Sequence, residues 1–117
     1  MIKSRLAALQ LTTVANDKAA LFALQGAAAK VGVQVVDSSR YQLELTVNQG
    51  PVETGPQWLW LRGNIVLRVL DNDSAIAIDS WAFKVAAQTE AQLEQRLQNL
   101  LVADLPGYVY QLLTPAP

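Results

Sequence analysis

Carboxylates gather once in a spacing that could begin a cation loop, at Asp71-Asn72-Asp73. An EF-hand loop also requires an internal glycine and a closing glutamate, and both are missing here. The triplet therefore reads as a tight turn. Asp79 and Glu44 are carboxylates within predicted strands. Acid–base work on a glycosidic bond needs two carboxylates at a defined separation in a cleft. Nothing in the sequence brings these two together, so they read as residues of solvated strand faces. Ser38-Ser39 and Ser80 have no histidine to activate them and no Ser-x-x-Lys spacing. Histidine and cysteine are both absent. That removes the commonest general base, the commonest metal ligand and any thiol nucleophile. There is no Walker A sequence and no Gly-x-Gly-x-x-Gly, so nucleotide binding has no support. The expectation is a protein without catalytic residues, metal or cofactor.

One other constellation stands out: Trp58, Trp60, Arg62, Arg68, Trp81 and Phe83. Tryptophan and arginine are enriched at interface hot spots, so this set is the candidate interface. The competing reading places most of the rings in the core, with the arginine stems packed over them. The loop from Asn48 to Gln57 is a secondary candidate for binding.

These residues must be held by a chain of 117 residues, of which 51% are hydrophobic and 16% charged, with a net charge of −1. That is enough for one folded domain without disulfides, expected over residues 1–113, with residues 114–117 as a tail or linker. No basic stripe is present, so nucleic acid is not an expected partner. No apolar run reaches the length of a membrane-spanning helix, so direct membrane insertion by this chain is not expected. The opening, Met1-Ile2-Lys3-Ser4-Arg5 and then Leu6 to Ala15, has some signal-peptide polarity. Gln10, Thr12 and Thr13 interrupt it, and a strand is preferred. The targeting segment of an exported protein would then lie outside this sequence.

The first strand is expected within Arg5 to Val14, where Leu9, Leu11 and Thr13 alternate and Thr12-Thr13-Val14 favours extended backbone. A helix should start at Asn16 or Asp17, carry Leu21, Leu24, Ala28 and Val31 on one stripe, and end at Gly32. Gly26 with Ala27, Ala28 and Ala29 offers a smooth surface for close approach to a sheet. Val33 to Val36 is a short strand. Tyr41, Leu43, Leu45 and Val47 alternate with polar residues in a half-buried strand. Two glycines and two prolines make Asn48 to Gln57 a loop.

From Trp58 to Leu70, the residues Leu59, Leu61, Gly63, Ile65, Leu67 and Val69 form a core face. The strand Ala75 to Ala87 returns antiparallel to it. If Asn72-Asp73 is the turn, Val69 faces Ile76, and Trp81, Phe83 and Val85 fall on the wrong face. Either a bulge near Asp79-Ser80 returns the aromatics to the core, or the sheet has a second, aromatic-rich face. Thr89-Glu90-Ala91-Gln92 is a capping-box pattern opening a helix with Leu93, Leu97, Leu100 and Leu101 as its stripe. Pro106 should break or sharply kink that helix, with Asp104 capping a second piece.

The predicted fold is α/β in the α+β sense, ordered β-α-β-β-β-β-α. Its sheet is mixed, mostly antiparallel, with two helices packed on one face. The order of Ala20 to Asp37, Tyr41 to Val47, the hairpin Gly63 to Val85 and the closing helix from Thr89 resembles small modules of bacterial envelope lipoproteins. Those are the lipopolysaccharide-assembly lipoprotein LptE and the periplasmic modules of CsgG-like proteins. The resemblance lies in polarity patterns and carries over no functional residue. It implies a non-enzymatic role in assembly or scaffolding, with a periplasmic or outer-membrane-associated location; without it, a cytoplasmic one. A lipoprotein needs a lipobox cysteine, which this sequence lacks. Either its anchor lies outside the sequence or the chain belongs elsewhere. The expected function is an interaction or assembly domain acting through sheet edges and the aromatic/arginine face, with a protein partner or a homo-oligomer. The alternative is a carrier of a small apolar, lipid-like ligand.

Overall fold

The computed structural model describes residues 9–114. The predicted first strand from Arg5 lies partly outside them, as do Pro115 to Pro117 of the tail. Strand β1 (Gln10–Ala15) leads into helix α1 (Lys18–Val31) and the short strand β2 (Gln34–Val35). Then come β3 (Tyr41–Gln49), β4 (Glu53–Thr54), β5 (Leu59–Asp71), β6 (Ser74–Ala87) and helix α2 (Glu90–Leu113).

Each helix starts where its cap chemistry allows. Asp17 accepts the Ala20 N–H at 2.7 Å and so occupies an orphan donor of the first turn. At the other end Gly32 adopts φ 96°, and its N–H reaches the carbonyls of Ala28 and Ala29 at 3.1 Å. Only glycine adopts this left-handed conformation without steric cost. In α2, Thr89 accepts the Gln92 N–H at 3.2 Å. The Gln92 side chain reaches back to the Gln88 N–H, also at 3.2 Å, one residue short of the usual capping-box partner.

Three expectations about these elements change. The buried stripe of α1 is Ala20, Ala23, Leu24, Ala27 and Ala28. Gly26 and Ala29 are exposed, and a Cβ at Gly26 would meet nothing within 4 Å, so it is not a point of close approach to the sheet. The helix α2 runs without interruption through Pro106 rather than breaking there. Proline removes the N–H that would bond the carbonyl four residues earlier, that of Val102, and Val102 is exposed. Burial of Leu105 and Val109 on either side holds the helix together across this defect. Finally, the loop Asn48 to Gln57 contains β4, which pairs with Trp60 and Leu59.

The sheet runs β2-β1-β3-β5, with β1 parallel to both β2 and β3. Strand β3 is antiparallel to β5, and β5 to β6. Leu59 pairs with Thr54 on one side and Ala87 on the other, so β3 and β4 share one edge of β5 and β6 takes the other. Helix α1 is the crossover between the parallel strands β1 and β2, and β3, β5 and β6 form the expected meander.

The hairpin β5–β6 decides which side chains face the helices. Asn72 and Asp73 have φ 49° and 71°, the doubly left-handed conformation of a tight hairpin turn. Leu70 pairs with Ala75 and Val69 with Ala77, leaving Ile76 as the extra residue of a bulge. The bulge lies beside the turn, not near Asp79-Ser80. It shifts the phase by one residue, which sends Trp81, Phe83 and Val85 to the side of Ile65, Gly63 and Leu61. Phe83 packs so closely there that a Cβ at Gly63 would meet its Cζ at 2.7 Å and the Asn48 carbonyl oxygen at 1.9 Å.

Among the described residues, the helices and the inner sheet face enclose one cluster of buried residues. Leu11, Leu43, Leu45, Ile65 and Leu67 of the sheet meet Leu24, Leu93, Leu105 and Val109 of the helices, all at 0–2% exposure. Fully burying such side chains contributes roughly 1.5–3 kcal/mol each, which makes the hydrophobic effect the main term holding the layers together.

Candidate interaction surface

Both helices cover one face of the sheet, so among the described residues the other face is bare. Direct partners on neighbouring strands point to the same side, and the register therefore assigns the bare face row by row. One row crosses four strands: Val14, Glu44, Arg68 and Ile78. Arg68 Nε donates to Glu44 Oε1 at 2.7 Å, the charge pair at the middle of the row. Val14 and Ile78 stand at its ends, with Ile78 64% exposed. The next rows are Thr46, Val66 and Ser80, then Asn48, Asn64 and Ala82. Arg62 pairs with Lys84, and Trp60 with Ala86. The ammonium of Lys84 lies 4.4 Å from the centre of the Trp60 ring, and Arg62 lies 3.5 Å from Glu53.

The six singled-out residues are divided by this arrangement. Trp60, Arg62 and Arg68 lie on the bare face. Trp58 precedes β5 and is exposed at the same end. Trp81 and Phe83 belong to the helix-covered side. Trp81 is half-buried and stacks on Tyr108 of α2, with centroids 4.1 Å apart and planes 9° from parallel. Burial raises the pKa of the Tyr108 hydroxyl above its ordinary value, and the negative charge of Asp104 raises it further. Trp81 and Phe83 thus pack on the core side, whereas Trp58, Trp60, Arg62 and Arg68 stand at the surface. Ile78 and Lys84 belong to the bare face and were not singled out. Their signal was the strand alternation of β6, legible only once the bulge is placed at Ile76.

The carboxylates are also separated. Glu44 is engaged by Arg68, whereas Asp79 caps its own neighbour, accepting the Ser80 N–H at 2.8 Å. Asp71 takes two hydrogen bonds from Arg40, at 2.8 and 2.9 Å, and this bond raises the Arg40 pKa further. Among the described residues, no group of three or more His, Cys, Asp or Glu side chains is placed to hold a metal ion. No helix among them is long and apolar enough to cross a membrane.

An apolar cleft of about 190 Å³ opens between Leu9, Leu11, Tyr41, Val69, Ile76 and the end of α2. That is below the roughly 300 Å³ at which small-molecule sites begin.

No protein-family model matches the chain. A search of curated proteins likewise finds no match. Solved structures do match. A candidate lipoprotein of Caulobacter crescentus superposes with a TM-score of 0.61 at 17% identity, over 93% of this chain and 89% of that one. The minor lipoprotein of Acinetobacter baumannii gives 0.61 at 19% identity, over 90% and 89%. PelC of Paraburkholderia phytofirmans, a dodecamer, gives 0.53 at 14% identity, over 86% and 88%. The chain shares its α+β fold, two helices on one face of a mixed sheet, with these two bacterial lipoproteins and with PelC.

Proposed function

We propose that this chain is a non-enzymatic interaction and assembly domain of a bacterial cell-envelope protein, and that its bare sheet face joins it to further copies of itself. The observation that carries this reading is the row Val14–Glu44–Arg68–Ile78 with Trp60 and Val66 beside it, left uncovered on the face opposite the helices. A surface with a central charge pair and apolar ends has the makings of an interface, polar enough to stay soluble when free. The fold supports an envelope setting, because lipoproteins share it, and PelC, of the same fold, is a dodecamer. The carrier reading finds less support, because the apolar cleft is small for a lipid-like ligand.

Light scattering across a concentration series tests the proposal. The molar mass of the wild type should rise with concentration, and the rise should disappear in the double variant Trp60→Ala, Ile78→Lys while circular dichroism stays unchanged. A monomer at every concentration, or a variant that associates as the wild type does, would overturn it.

A further inference from the structure

The bare face is not the only surface left open. Strand β6 is 14 residues long, and among the described residues it pairs with β5 alone. The backbone groups along its other edge are thus open to another strand. The two halves of this edge differ. Beside the turn it is guarded by the bulge at Ile76 and by Asp79, a charge on the helix-covered side. Both devices oppose strand addition. From Trp81 to Ala87 the register with β5 is unbroken, from Ile65 to Leu59. Here the bare side carries the small Ala82 and Ala86 around Lys84, and the helix side carries the buried Phe83 and Val85.

Charge indicates what this segment takes. Lys84 stands directly opposite Arg62, and like charges across a strand pair are destabilising. Arg62 has Glu53 nearby, whereas the Lys84 contact is with the Trp60 ring. The bare side of β6 carries no carboxylate, so a second β6 laid against the first would give Lys84 no counter-ion. A foreign strand with an acidic residue at that level would supply one, at the roughly 5 Å spacing of adjacent strands.

We infer that the edge of β6 over Trp81–Ala87 receives an extended segment of another protein as an added strand, with an acidic side chain of that segment beside Lys84. The segment alternates, apolar residues lying toward Phe83 and Val85 and polar ones toward the bare face, and has no proline at its centre. The backbone edge of β6 borders the bare face at Lys84 but is not the surface that face buries, so either reading can fail while the other stands.

The test uses the full chain and two heptapeptides in which valine alternates with threonine, one with a central glutamate and one with a central lysine. Backbone amide exchange is followed by NMR. The glutamate peptide at saturation should slow exchange of amides between Trp81 and Ala87 by about tenfold or more, and the lysine peptide should not. Lys84→Gln should abolish the preference, and Lys84→Glu should reverse it. No slowing with either peptide, equal slowing with both, or slowing confined to other strands would overturn the inference. Slowing of the β6 edge in a chain that stays monomeric would remove the face reading and keep this one.

Discussion

At Gly63 the backbone of β5 runs close under the Phe83 ring, and there is no room for a methyl group. A Cβ would lie 1.9 Å from the Asn48 carbonyl oxygen, in the backbone of β3, and 2.7 Å from Phe83 Cζ. The ring end could swing aside, but the carbonyl belongs to the ladder and cannot yield without breaking pairing. Gly63→Ala should therefore destabilise the fold by about 3 kcal/mol or more, the upper range for overpacking. Chemical denaturation would show this as a lower midpoint with an unchanged slope. A change under about 0.5 kcal/mol, typical of a neutral surface site, would mean that the ring and strand are not packed this tightly. At this scale the sequence was partly legible. Gly63 could be assigned to the core face by its spacing, but the reason for a glycine there could not, because the Phe83 contact exists only after β6 is in register.

Between elements, one extra residue in β6 decides what the two faces are. The alternation of Ala75 to Ala87 shows a phase change, but the sequence fits a bulge near Asp79-Ser80 as well as a second, aromatic-rich face. Nothing in the residue types marks Ile76, a good strand former with a large apolar side chain, as the one to be left unpaired. The tight turn at Asn72 and Asp73 settles the matter locally, because it brings Asp71 to Ser74 and Leu70 to Ala75 before the slip occurs. Deleting Ile76 should then be tolerated, since Ala75 and Ala77 already pair with the successive residues Leu70 and Val69. Inserting one alanine between Asp79 and Ser80 should not be, because it turns Trp81, Phe83 and Val85 out to solvent. Thermal unfolding followed by circular dichroism should find the deletion within a few degrees of wild type and the insertion unfolded or far less stable. The reverse order would place the bulge near Asp79. Similar reasoning explains Pro106: its local rule predicts a break, but the leucines around it are buried on one stripe, and tertiary packing overrides the lost hydrogen bond.

Across the whole molecule, stability should follow the distance of each strand from the sheet edges. The central strands β3 and β5 pair on both sides and carry Leu43, Leu45, Ile65 and Leu67, all at 0% exposure beneath the helices. At the far edge, β2 consists of Gln34 and Val35, both exposed, and hangs on β1 through the bonds of Gln34 and Val36 to Leu9 and Leu11. The short β4 is also exposed throughout. Local opening of such strands costs little, because few apolar contacts are lost. Native-state hydrogen exchange should therefore rank the amides in steps. Those of β2 and β4 should exchange first, the unpaired side of β6 close behind, and the β3–β5 ladder last, near the global unfolding limit. If β2 proved as protected as β5, something outside the described residues would have to brace that edge. If the whole of β6 were protected in the free chain, its edge would already be covered, and neither an added strand nor a second copy could use it.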